Sequence, residues 1–239
     1  MFPIADTIPS SRVPIVNYFL IFINVLIFSF EIMIPPHILE EFFYHFGLVP
    51  ARYTNPMFAY ETSLSDNDYL PFFTNMFLHG GWAHLIGNMW TLYIFGDNVE
   101  DRMGHFRYLV FYILCGLAAS LTHFYTNSNS TIPAVGASGA ISGVMGAYMF
   151  LFPKSRIIFL YFFFFFFDFI QIPAIIYLFF WFVGQLISGT VSLFVLPQNV
   201  GGIAFWAHIG GFAAGMLLYQ FFIQKPKRYS DEVEYEIID

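Results

Sequence analysis

An all-α, polytopic membrane fold with six crossing helices is what the sequence predicts, and three observations carry the prediction. Of 239 residues, 58% are hydrophobic and 10% charged, with 34 phenylalanines and a mean hydropathy of +0.65, which is far from the composition of an ordinary soluble domain. Six apolar segments approach the length of about 20 residues that a helix needs to cross roughly 30 Å of hydrocarbon. The cations then fall almost entirely on one side of the membrane those segments define. The formal charge of −7 sits mostly in loops and in the tail "DEVEYEIID", so it argues for no nucleic-acid partner.

Taken in order, residues 1–11 lead into the first span at about 12–33. No small-residue cleavage site follows that apolar run, so it reads as a permanent span rather than a removable signal. The loop at about 34–81 mixes Glu40, Glu41, Glu61, Asp66 and Asp68 with many aromatics, which predicts short helices lying in the interface plane. Spans two (82–99) and three (106–126) are joined by a short polar turn, and span four covers 136–153. The run "IIFLYFFFFFF" at 157–167 is apolar but short, and Asp168 and Pro173 interrupt it. It reads as an interfacial or re-entrant piece, the alternative being a bent seventh crossing that would move the C-terminus to the other side. Spans five (172–192) and six (203–223) complete a membrane domain over 12–223, and 224–239 form an acidic tail. Cys115 is the lone cysteine, so there is no internal disulfide framework.

Among the nine Lys and Arg residues, Arg12 precedes span one and Arg102 and Arg107 bound the turn after span two. Lys154 and Arg156 follow span four, and Lys225, Lys227 and Arg228 follow span six; only Arg52 lies elsewhere. Six spans put eight of the nine on one face, the cytoplasmic one by the positive-inside rule, and both termini with them. A prokaryotic plasma membrane is the expected location, since neither an added seventh span nor a targeting segment stands out.

With this topology spans two, four and six all begin at the outer surface, and the polar residues near those beginnings should meet. They are His79, His84 and Asn88, then Ser138, then His208. His123 and Gln185, on spans three and five, are isolated exceptions. A serine in a membrane helix is common packing material, and the glycines beside Ser138 (Gly136, Gly139, Gly143, Gly146) serve close helix approach equally well. An ionisable side chain within a span is costly and points to function. His208, with Gly211 and Gly215 giving its helix a smooth face, can reach span four, where a histidine beside a serine makes the base and nucleophile pair of covalent catalysis. His84 and Asn88, four apart, share a helix face, and an amide donor there can hold an oxyanion. His79 and His84 are poorly spaced as metal ligands, with no cysteine or carboxylate expected nearby to complete a shell, so neither a metal nor another cofactor is expected. No carboxylate accompanies His208, which leaves a dyad whose histidine is oriented by packing alone.

The segments "HGGWAHLIGN", "GASG" and "AHIGG", in that order on three spans of like direction, resemble the rhomboid family of intramembrane serine proteases. The likeness runs from about residue 70 to 222 and includes "FGDNVEDRMGHFRYLVFYILCGLAA". It implies a rhomboid-like bundle of six helices and a serine endopeptidase with Ser138 as nucleophile and His208 as general base. It also implies an oxyanion hole of His84, Asn88 and the Ser138 N–H, with His79, Gly136 and Gly139 in support and Glu100 and Arg102 structural. The fifth span and the loop at about 193–202 would gate the access of transmembrane-helix substrates from the lipid bilayer. Such an enzyme cleaves client helices near their outer end through an acyl-enzyme. The alternative within the same fold is a non-catalytic protein that binds and retains or delivers client helices. In one respect the sequence departs from the family, which often has an aromatic residue four after the nucleophile; here that residue is Ser142. Ser142 also sits in a partial echo of the motif, "AISG", about 6 Å deeper, whereas Ser138 is closer to the water that deacylation needs.

Overall fold

A computed structural model describes residues 2–163, 166–195 and 203–224, and within them the chain is mostly helical. The principal helices are α1 (Ile15–Glu31), α6 (Trp82–Met103), α7 (His105–Thr126), α8 (Ser138–Leu151), α9 (Ala174–Val195) and α10 (Phe205–Phe222). Four short helices, α2 (Pro36–Phe46), α3 (Ala51–Thr54), α4 (Pro56–Glu61) and α5 (Pro71–Thr74), fill the loop after α1. Local chemistry explains their starts. Pro36, Pro56 and Pro71 stand at first helical positions, where the missing N–H costs nothing. The Asn55 side chain caps α4 by accepting from the Met57 and Phe58 N–H groups. α7 and the Ala174–Phe194 part of α9 are long and apolar enough to cross a membrane, while α1 and α8 are apolar but shorter.

The sheet is a correction to the all-α expectation. Where it is described, the run expected as an interfacial or re-entrant piece is extended: β2 (Arg156–Phe163) and β3 (Phe166–Pro173) pair antiparallel, with Arg156 opposite Pro173 and Phe163 opposite Phe166. β1 (Phe2–Asp6), from the leading segment, adds to β2 with a bulge between Pro3 and Ala5. The physical reason is that a short run of aromatic and β-branched residues favours extended backbone, and each strand supplies the other's hydrogen-bond partners. Hydropathy alone does not distinguish such a run from a helix fragment.

α8 is the centre of the bundle. One face of it meets α7, where a Cβ at Gly139 would lie 2.5 Å from the Ala119 Cβ and one at Gly143 would lie 2.4 Å from the Cys115 Cβ. The other face meets α10 backbone to backbone, and a Cβ at Gly211 or Gly215 would come within 1.9 Å of the Gly139 or Gly143 carbonyl oxygen. Small residues at these spacings let dispersion contacts replace the hydrophobic drive that lipid does not supply. α6 and α7 are joined through Gly104 alone, whose φ of +78° lies in the left-handed region that favours glycine. α1 is fixed by buried polar groups: the Glu100 carboxylate accepts from the Val16 and Asn17 N–H groups, and the Asn17 side chain bonds the Leu92 carbonyl and the Tyr108 hydroxyl.

At the end of the bundle away from Ser138, the residues just after α10 meet the α6–α7 turn. The Gln224 N–H donates to the Arg102 carbonyl and the Arg107 guanidinium to the Ile223 carbonyl. The sheet belongs to this end too. The Tyr148 hydroxyl of α8 and the Asn98 amide of α6 both donate to the Asp6 carboxylate of β1. Burial lifts the Asp6 carboxyl above its ordinary value, with the Tyr148 hydrogen bond working against that rise.

Candidate active site

The strand-like stretch before α8 is held from both sides, which fixes where that helix begins. Ala134 exchanges two backbone hydrogen bonds with Leu48, and the Gly136 N–H donates to the Asn75 carbonyl at 2.8 Å. The Asn75 side chain in turn donates to the Ser120 hydroxyl of α7 at 2.9 Å. Gly136 has a φ of +135°, and a Cβ there would sit 2.6 Å from the His84 Nε2 and 3.6 Å from the Ser138 Oγ. Glycine is required twice over, for the dihedral and for the space that lets the His84 ring approach the serine.

Ser138 is the first residue of α8. The first intrahelical donor is the Ile141 N–H, to the Ala137 carbonyl, so the N–H groups of Ser138, Gly139 and Ala140 have no acceptor one turn back. The partial positive charge of the helix start therefore lies beside the Ser138 hydroxyl. From α10, His208 brings its Nε2 to 2.8 Å from the Ser138 Oγ. The Gly139–Gly211 approach sets that separation, because each residue of the pair lies within one turn of its neighbouring glycine.

The remaining residues singled out from the sequence gather on the α6 side. The His79 and His84 rings are edge to face at 5.2 Å, and the Asn88 amide is 3.0 Å from the His79 Nε2. An amide nitrogen has two hydrogens, so the contact with His79 leaves Asn88 a second donor. Ser142 is buried and donates to the Ser138 carbonyl at 2.6 Å, a bond one turn back within α8. That is the packing role open to any serine in a helix. Asn75, Ser120, His123, Ser138 and Gly139 are among the residues that line a cavity between α7 and the start of α8.

Two expectations need correcting. His208 is not held by packing alone, because its Nδ1 lies 2.7 Å from the Gln185 Oε1 of α9. Trp181, one turn before Gln185, lies beside the imidazole with ring centroids 6.0 Å apart. A carboxylate also lies near His79 after all: Glu31, at the end of α1, accepts from the His79 backbone N–H through both oxygens at 3.3 Å. Glu31 and Asn75 escaped the sequence reading, although an ionisable residue ending an apolar helix is itself a signal. Among the described residues no group of His, Cys, Asp and Glu has the spacing to hold a metal ion. Of the expected gate loop at 193–202, residues 196–202 lie outside the described residues, as do 225–239 of the acidic tail.

A Rhomboid domain model matches residues 66–225 of this sequence, from before the His79 cluster to beyond the end of α10. The chain belongs to the rhomboid family. Rhomboid proteins are integral membrane proteins. The chain is similar to RHOMBOID-like protein 4 of Arabidopsis thaliana, 32% identical over 142 residues that cover 59% of this chain and 31% of that one. To RHOMBOID-like protein 5 of the same plant it is 39% identical over 74 residues, 31% of this chain and 24% of the relative. The rhomboid protease GluP of Bacillus subtilis is 36% identical over 103 residues, 43% of this chain and 20% of that protease. The matches thus span less than half the length of each of these rhomboid relatives.

Proposed function

We propose that the protein is an intramembrane serine endopeptidase that cleaves transmembrane helices of client proteins near their outer end. The observation that carries this reading is the 2.8 Å approach of the His208 Nε2 to the Ser138 Oγ, which is hydrogen-bond reach for a nucleophile and its base. In the proposed reaction His208 takes the Ser138 hydroxyl proton on Nε2 as Oγ bonds to the scissile carbonyl carbon. The oxyanion is stabilised by the α8 amino end, the second Asn88 hydrogen and the His84 ring. Collapse of the tetrahedral intermediate breaks the C–N bond, and the proton on Nε2 passes to the departing amine. Water then gives its proton to His208 and attacks the acyl ester, and the second collapse returns a proton to Ser138 Oγ. A peptide bond in a regular helix is shielded, so client helices that unwind locally at a small residue are the expected substrates.

The six principal helices are read as six crossings. Arg107 and the backbone of Arg102 gather with the end of α10 opposite Ser138, and Arg12 pairs there with Asp101. That grouping supports a cytoplasmic assignment for that end, with both termini, and an outer assignment for the site. The direct test is cleavage of a tagged transmembrane reporter in vesicles, together with mapping of a fluorophosphonate adduct. Wild-type protein is expected to cleave and to carry the adduct on Ser138, and Ser138→Ala and His208→Ala to lose cleavage by at least about 1,000-fold. An adduct on Ser142, or cleavage that survives Ser138→Ala, refutes the assignment.

A further inference from the structure

We infer that Gln185 is a positioning residue that fixes the tautomer and aim of His208, so that α9 supplies the third member of a Ser138–His208–Gln185 relay. The inference rests on the serine protease reading above and adds a residue to it. A neutral imidazole has one donor and one acceptor nitrogen, and only the acceptor can take a hydroxyl proton. The Gln185 Oε1 can only accept, so at 2.7 Å it requires the proton on the His208 Nδ1. The lone pair is then left on Nε2, which faces the Ser138 Oγ at 2.8 Å. The opposite tautomer would set a bare Nδ1 against the carbonyl oxygen and direct an N–H at the serine, where it cannot act as a base. A neutral amide therefore does the orienting that a buried carboxylate performs in a three-residue triad, without placing a second charge in a site of low dielectric.

Trp181 reinforces the arrangement. It stands four residues before Gln185 on the same face of α9, and its ring flanks both the imidazole and the Phe212 ring at 5.8 Å. Gln185 thus reaches His208 from a helix whose foot is fixed by the sheet, with the Ala174 N–H bonded to the Ser155 carbonyl. Ser142, in the place of the aromatic support, is engaged with the Ser138 carbonyl. The support for His208 comes from α9 instead of from α8.

The test compares wild type, Gln185→Met and Gln185→Glu for the rate of Ser138 labelling by a fluorophosphonate and for kcat and KM on a transmembrane reporter. Thermal midpoints in the same detergent accompany the rates. Methionine keeps the length and loses the acceptor, whereas glutamate keeps an acceptor at the same reach. The expected result is a fall of about 10- to 100-fold in labelling rate and kcat for Gln185→Met, the factor of one lost hydrogen bond of good strength, with KM unchanged. Gln185→Glu should return both rates to within about fivefold of wild type. Labelling of Gln185→Met at the wild-type rate overturns the inference and leaves the Ser138 and His208 assignment intact. Equal losses in both variants, tracking a lowered thermal midpoint, overturn it in favour of packing. A wild-type protein that is not labelled on Ser138 defeats the underlying protease reading instead.

Discussion

α10 is packed against two helices in two different ways, and the difference bears on how the candidate site works. Against α8 it lies backbone to backbone, and a Cβ at Gly211 or Gly215 would sit 1.9 Å from a carbonyl oxygen of α8. Against α9 the contacts run through long side chains, Phe182 stacking on Phe212 at 4.7 Å and the Trp206 indole donating to the Gly189 carbonyl. A Cβ at Gly184, beside Gln185, would meet nothing within 4 Å. The pair that carries Ser138 and His208 is therefore close to a rigid unit, since neither helix can slide without a backbone collision. The partner of the second imidazole nitrogen comes from a helix that meets α10 through side chains, where a Cβ at Gly189 would lie 3.2 Å from the Ile209 Cδ1 and not against backbone. Ser138 and His208 are brought together by main-chain contact between their helices, and the partner of the His208 Nδ1 is supplied by a side chain of α9.

The strongest way to break this contrast is to add one carbon on each side of it. Gly211→Ala should force α8 and α10 apart, with a loss of about 3 kcal/mol or more, the upper range for overpacking, and with it most of the reporter cleavage. Gly184→Ala, one residue from Gln185, should leave the thermal midpoint within about 2 °C of wild type or raise it slightly, since alanine favours helix and nothing is displaced. Thermal unfolding in one detergent reads both. Equal effects would mean that the backbone contact of α8 with α10 is no more constrained than the open position at Gly184.

A smaller effect is expected from the loop that aims the serine. Gly136→Ala meets both an unfavourable dihedral and the His84 ring, a cost of about 1–3 kcal/mol. His84 must move to admit the methyl group, so reporter cleavage should fall by more than stability does. Comparing the fluorophosphonate rate with the thermal midpoint separates the two, and parallel losses would count against a role for His84 near the hydroxyl.

The smallest effect concerns the tie at the far end, where Asp6 joins the sheet to α8. Its carboxyl is raised by burial, so the folded state favours the protonated form. That contribution is complete below the ordinary carboxylate pKa and is lost as pH rises through the raised value. As pH rises from about 4, the ordinary carboxylate value, wild type should therefore lose slightly more thermal stability than Asp6→Asn, which is uncharged throughout. An identical pH slope in the two proteins would remove Asp6 from the ties between the sheet and α8.

Much of this was legible in the chain itself. The apolar segments and the small-residue stripes follow from local periodicity, and Ser138 and His208 stand out as candidates to pair because an ionisable residue is expensive in apolar surroundings. The sheet was not, because a short run of phenylalanine and isoleucine reads as apolar whether it is helical or extended, and only its partner strands decide. Gln185 was visible as a polar residue in α9, but nothing local to the helix showed which way it faced. Sequence alone determined which side chains could do the chemistry, since that depends on their identity and on the cost of placing them among apolar neighbours. The tertiary structure decided which atoms meet: helix rotation and crossing put an amide oxygen, an imidazole and a hydroxyl in one line, and those are properties of packed pairs that no single segment contains.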